Sequence, residues 1–336
     1  MTRLCRAREA DRPVAARLAF VFLALALLAA AAPAAAQRPL AGRVVRDGEG
    51  VAGVAVQLHR VTQANRGQID STVTGPGGRF ALPLPPVDSA AGFTVFFATA
   101  VADGVRYFGP AVHPEEPAQG YAITVYDTTS SEGLADSVRV SRRDLFLIPD
   151  MDGTMQVAEI VRVRNAGRRT LVSETRPRVS VPLPPGAEGF EAGEADRADS
   201  ARAPRAGLAR VGDRAWVTDP LLPGDRDFFF RYRLAPKVKR FPLAFGLATD
   251  TLFVYVRQPA PDVRARGLGE GVPYTAEGEN FVRYQAVGLR PGAAASLDWT
   301  GPSPPPVDPR WAALAVAGVI LAAGAVVAAR RGRAAA

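Results

Sequence analysis

The sequence predicts an all-β protein: two β-sandwiches in series, flanked by an N-terminal signal peptide and one C-terminal transmembrane helix. Three observations predict it. From Gly42 onward apolar residues recur at every second position, the period of a strand with one buried face. Turn-forming Gly, Pro and Asp return about every eight to twelve residues, the spacing of antiparallel sandwiches. The long apolar runs stand at the two ends of the chain, each beside arginines. A length of 336 residues fits two domains at about 100 to 200 residues each.

The N-terminal element spans residues 1–36. An Arg-rich start is followed by the 15-residue apolar run Leu18 to Ala32 and by Pro33-Ala34-Ala35-Ala36. A positive start, a short apolar core and an Ala-x-Ala ending are the parts of a secretory signal peptide, and they place the cut after Ala36. The single cysteine, Cys5, precedes the apolar core and so cannot carry a lipid at the cleavage point. The mature chain then has no disulfide, and the fold rests on its core.

At the other end, residues 302–310 form a Pro-rich spacer, residues 311–329 an uncharged 19-residue run, and residues 330–336 a basic tail. As a helix that run is about 28 Å long, enough for the hydrocarbon layer. Arg330, Arg331 and Arg333 follow it, which puts the tail in the cytoplasm and the body outside the inner membrane in a single-pass arrangement. Leu297-Asp298-Trp299-Thr300-Gly301 has the layout of a sortase sorting signal, but Asp298 replaces that signal's proline. The alternation Ala295, Leu297, Trp299 reads more simply as a last strand.

The net charge of +8 invites a nucleic-acid reading. In residues 1–17 five arginines face two acids, leaving +3, and the tail adds three arginines, so the body between carries +2. A near-neutral body lacks the cationic face that nucleic-acid affinity requires, and nucleic acid is excluded as a partner.

Within residues 37–118, Val54, Val56 and Leu58 form one inward face, Phe80, Leu82 and Leu84 another, and Phe93 to Thr99 reads as a central strand. Asp47-Gly48 and Gly75-Pro76-Gly77-Gly78 supply turns. This segment resembles the carboxypeptidase regulatory-like domain at Gly42, Val44, Gly53, Val54, Val56, Leu58, Thr74, Gly78 and Phe80, with Gly75 in place of the usual aspartate. The resemblance implies a transthyretin-like sandwich, also described as a carbohydrate-binding-like fold, and a non-catalytic module.

Residues 119–301 are expected to form the second sandwich. It begins at Ile123 to Asp127, with strands over Met155 to Asn165, Arg178 to Pro184, Phe228 to Tyr232 and Thr251 to Val256. The order of strand, Asn-x-Gly turn and aromatic strand is similar to immunoglobulin-like envelope domains. Gly186 to Gly207 is polar, nearly without core formers, and is expected to be a loop.

Chemistry is sparse. His59 and His113 are the two histidines, too few for a His-based triad or a multi-histidine metal site, and both read as surface residues. Asp150-Met-Asp152-Gly-Thr154 with Glu159 has a faint calcium-loop pattern but lacks the third ligand, and a hairpin turn accounts for it better. Glu115-Glu116 and Asp225-x-Asp227 fall in turn-like segments. No catalytic, cofactor-binding or metal-ligating residue is therefore assigned, and no cofactor is expected.

Exposed aromatics would serve a binding role, and Tyr107, Phe108, Tyr121, Tyr126, Trp216 and Tyr274 stand near strand ends. Ala313 with Ala317 and Gly324 with Ala328 have helix-pairing spacing, which an Ala-rich run produces by chance. The function expected is that of a non-enzymatic, membrane-anchored extracytoplasmic binding or scaffold protein. Its partner is an envelope protein or a glycan. Binding of carbohydrate or cell wall, and service as an accessory subunit of a membrane complex in cytochrome or cofactor assembly, are the alternatives.

Overall fold

The computed structural model describes residues 39–87, 92–114, 120–130, 137–150, 153–173, 179–193, 207–236, 238–260 and 262–299. The signal peptide, spacer, apolar run 311–329 and basic tail lie outside them, as do Glu115, Glu116 and Asp152. Among the described residues no helix is long and apolar enough to cross a membrane. The described chain is almost wholly β, and it divides into two compact units, Met1–Val125 and Tyr126–Ala336.

The first unit contains β1 (Pro39–Arg46), β2 (Glu49–Gly50), β3 (Ala55–Thr62), β4 (Arg66–Val73), β5 (Arg79–Pro83), β6 (Thr94–Ala102), β7 (Val105–Phe108) and β8 (Tyr121–Thr124). One sheet runs β2-β1-β5 with β8 parallel to β1, and the other runs β4-β3-β6-β7. The expected alternation holds: Val54, Val56, Leu58, Phe80 and Leu82 are buried. The Phe93 to Thr99 reading also holds in place, because β6 lies between β3 and β7. The boundary differs. Tyr121–Thr124, expected to open the second sandwich, pairs with β1, because Tyr121 and Ile123 complete the first unit's buried face.

Several positions of the family-like frame have a visible structural reason. Thr74, buried, donates its hydroxyl to Val51 O at 2.7 Å and accepts from Val54 N at 2.9 Å, tying two loops together. A Cβ on Gly78 would stand 2.3 Å from Val44 O, and its φ of 72° suits glycine. A Cβ on Gly42 would stand 2.8 Å from the Phe80 ring and 2.6 Å from Tyr121 O. The frame is thus written in packing and turns.

The second unit contains β9 (Thr128–Thr129), β10 (Val138–Pro149), β11 (Met155–Asn165), β12 (Thr170–Leu171), β13 (Ser180–Pro182), β14 (Ala187–Gly193), β15 (Leu208–Val211) and β16 (Arg214–Val217). It continues with β17 (Gly224–Leu234), β18 (Arg240–Ala244), β19 (Thr249–Arg257), β20 (Val263–Arg266), β21 (Val272–Ala276), β22 (Glu279–Leu289) and β23 (Ala294–Trp299). A seven-stranded sheet runs β14-β17-β11-β10-β19-β22-β21. Two three-stranded sheets, β13-β16-β15 and β18-β23-β20, pack against it. Val181, Val217, Phe241, Leu243 and Leu297 meet Leu145, Val161, Phe230 and Val254 in one core.

One expectation is corrected here, and the reading of a last strand at Ala295 to Trp299 is met. The polar stretch 186–207 is not all loop: Ala187–Gly193 forms β14, whose backbone pairs with β17 and whose Ala187, Phe190 and Ala192 join the core. Leu297 to Trp299 belongs to β23, with Leu297 fully buried and Asp298 ion-paired to Arg240 and Arg266 at 3.2 and 2.9 Å. Thr300 and Gly301 lie outside the described residues.

Candidate binding surface

The sheet β4-β3-β6-β7 has one buried face and one outward face. On β6, Phe96, Ala98 and Ala100 are fully buried, so the alternation sends Phe93, Phe97 and Thr99 the other way. On β7, Tyr107 is buried and Arg106 and Phe108 face outward. On β3, Gln57 and His59 do the same.

Register then brings these side chains together. His59 lies opposite Phe97, and Thr99 lies opposite Phe108. The His59 ring stacks on Phe97 with centroids 4.9 Å apart and an interplanar angle of 7°, and Phe97 meets Phe108 at 6.1 Å and 35°. Phe108 is 66% exposed. Phe93, 60% exposed, meets His113 edge-on at 6.1 Å.

A polar cluster sits beside the rings. Arg106 Nη1 donates to Gln57 Oε1 at 2.6 Å and to Thr99 Oγ1 at 3.4 Å. Thr99 Oγ1 also lies 3.1 Å from His59 Nε2. Burial, and secondarily the Arg106 charge, hold the His59 pKa below its ordinary value, so the ring favours its neutral form. Among the described residues no carboxylate pairs with Arg106. In contrast, Arg139, Arg142, Arg143, Arg162, Arg164, Arg226, Arg231 and Arg257 are all ion-paired.

The sequence-selected residues scatter. Tyr107 is wholly buried. Tyr121 is a buried strut: its hydroxyl accepts from Ala98 N at 2.8 Å and donates to Pro110 O at 2.9 Å, and burial raises its pKa. Tyr126 and Trp216 are half-buried, and Arg214 lies over the Trp216 ring at 6.0 Å. Tyr274, 37% exposed, lies beside Tyr255 at 5.3 Å with Arg283 over its face at 5.4 Å. Of the six aromatics, Phe108 alone belongs to the ring cluster. Of its companions, His59 was legible as an outward residue, while Phe97 and Arg106 were not singled out by the sequence.

The carboxylate pairs are structural. Asp225 takes Arg164 at 2.8 and 2.5 Å, and Asp227 takes Arg162 at 2.7 and 2.9 Å. The Arg164 hydrogen bonds hold the Asp225 pKa below its ordinary value against the opposing effect of burial. Asp150 belongs to the hairpin between β10 and β11, where Asp150 N bonds Thr154 O at 2.9 Å. Glu159 is not near it in role: it is fully buried, bonded by Arg143 at 2.8 Å and by the Tyr232 hydroxyl at 2.7 Å. Among the described residues no cluster of three or more His, Cys, Asp or Glu is arranged to hold a metal ion.

No family model matches the chain, and no curated protein matches it. Solved structures share parts of the fold at low similarity. A protein from Parabacteroides distasonis proposed to be a protease is 10% identical with a TM-score of 0.32, over 49% of this chain and 41% of that one. The M1 zinc metallopeptidase from Deinococcus radiodurans is 14% identical with a TM-score of 0.30, over 48% and 42%. The yeast delta-COP-I mu-homology domain bound to a WxWxV peptide is 9% identical with a TM-score of 0.16, over 50% and 76%. The chain spans less than half the length of the first two.

Proposed function

We propose that the chain is a non-enzymatic, membrane-anchored extracytoplasmic protein that binds or scaffolds an envelope component. In this reading a signal peptide exports it and the run 311–329 holds it in the inner membrane, with its tail in the cytoplasm. The first unit is a transthyretin-like sandwich of the carboxypeptidase regulatory-like kind, and the second is immunoglobulin-like. The observation that carries the binding role is the outward face of β3, β6 and β7. Phe108, 66% exposed on β7, stands beside Arg106, which has no carboxylate partner among the described residues, and Phe93, 60% exposed, lies just before β6. An apolar ring held in water has no stabilising role in the fold, whereas a partner that covers it gains its burial.

The test is crosslinking in intact cells. Full-length wild-type chain, purified after lysine- and carboxylate-independent photocrosslinking, is expected to carry one envelope component. Phe108→Ala is expected to lower that yield by about tenfold, the equivalent of about 1.4 kcal/mol. Tyr274→Ala, in the other unit, is expected to leave it unchanged. Equal yields from wild type and Phe108→Ala overturn the reading.

A further inference from the structure

Resting on that binding reading, we infer that the face of β3, β6 and β7 takes an acidic glycan, a pyranose chain bearing carboxylates. Two features of the surface set this chemistry. The first is an exposed ring. Phe108 is 66% exposed and is backed by Phe97, 6.1 Å away and itself stacked on His59, so its free surface is open to the C–H face of a sugar ring. The second is charge. Both hydrogen bonds of Arg106 use Nη1, on the neutral acceptors Gln57 and Thr99. Its Nε and Nη2 edge is left for a two-oxygen acceptor, the geometry in which guanidinium binds carboxylate most strongly.

The arrangement is fixed before any ligand arrives. Gln57 and Thr99 hold the guanidinium, and Thr99 lies across the register from Phe108, so cation and ring are strand neighbours. Burial and the Arg106 charge disfavour protonation of His59, so Arg106 supplies the charge of this cluster. A peptide is the less suited occupant. Peptides recognised by sheets add to a free edge or seat side chains in pockets. Here the β4 edge carries a bulge that leaves Ile69 without a partner, and β7 spans four residues.

Purified full-length chain in mild detergent is titrated with polygalacturonate, with dextran of matched length, and with polyaspartate. Polygalacturonate is expected to bind at least about tenfold more tightly than dextran, with that margin shrinking as salt screens the charge. Arg106→Gln is expected to erase the preference and keep weak binding to both glycans. Arg106→Lys is expected to restore part of it, since the charge returns without the fork. Phe108→Ala is expected to weaken both glycans by about tenfold. Circular dichroism confirms that each variant folds; both positions are exposed.

Equal affinity for the two glycans, or a preference that survives Arg106→Gln, overturns the inference. So does binding of polyaspartate as tight as that of polygalacturonate, which would mark a general anion surface. If the chain ignores all three polymers yet its cellular crosslink still depends on Phe108, the ligand class fails and the binding reading stands. If neither depends on Phe108, both fail.

Discussion

Two residues show how differently the same kind of charge is used. Arg143 and Glu159 are buried in the second unit's core, 2.8 Å apart, with the Tyr232 hydroxyl on the second carboxylate oxygen and Ala244 O 3.3 Å from Arg143. Burial, and then the Glu159 charge, push the Tyr232 pKa well up, so it stays a donor. Breaking such a pair leaves one charge buried and alone. Glu159→Ala is therefore expected to cost about 3 to 5 kcal/mol in urea unfolding, while a joint Arg143→Met and Glu159→Leu change recovers most of that loss. A double variant as unstable as Glu159→Ala would contradict this account.

His59 is the opposite case, outward and neutral. Its folded pKa lies below its ordinary value of 6.5 because of burial and Arg106. Well above pH 6.5 the ring is neutral in both states and costs nothing. As pH falls below that value the unfolded chain takes up the proton first, so stability declines toward acid. Urea midpoints at pH 7.5 and pH 5 are expected to differ more for the wild type than for His59→Gln. An unchanged difference in the variant would remove His59 as the cause.

At the scale of elements, the sheets are closed to further pairing by local chemistry. In the seven-stranded sheet the β14 edge has a register shift between Glu188 and Glu191, and the β21 edge carries Pro273 opposite Val282. A proline in an edge strand leaves no outward N–H for a second chain to use. Pro273→Val restores that donor on a strand whose Val272 and Tyr274 are 41% and 37% exposed. It is expected to raise concentration-dependent light scattering with little change in the urea midpoint. Across β10, β11 and β17 the pairs Arg142–Asp144, Arg162–Asp227 and Arg164–Asp225 lie beside the apolar cluster of Phe146, Ala158, Phe229, Tyr255 and Phe281. The exposed pair Arg164–Asp225 contributes at most about 1 kcal/mol.

At the scale of the whole molecule, the +8 charge separates into +3 at each end and a body of +2. Long-range attraction is therefore no part of the proposed binding. A guanidinium with no carboxylate partner among the described residues, beside an exposed ring, is a short-range device, effective only at contact. In the proposed topology the spacer and helix hold that surface near the membrane, and the local concentration gained by tethering favours a weak, repeated interaction over a tight one.

The sequence by itself determined the all-β class, the inward faces of the strands, and the turns at Asp47-Gly48 and Gly77-Gly78, because strand period and positive φ are local properties. Asp47 and Gly48 indeed have φ of 50° and 88°. Of the candidate surface, His59 and Gln57 were legible as outward positions and Phe108 as an aromatic near a strand end, whereas Phe97, Thr99 and Arg106 were not. Only the tertiary structure decided which outward residues touch. His59 and Phe97 are far apart in the chain, as are Gln57 and Arg106, and it is the β3-β6-β7 register that makes them neighbours. The parallel seat of β8 and the pairing of Arg143 with Glu159 were likewise out of reach. Period two tells a side chain which face to take; its neighbour on that face is set by pairing between distant segments, whose register is an energy of the whole sheet.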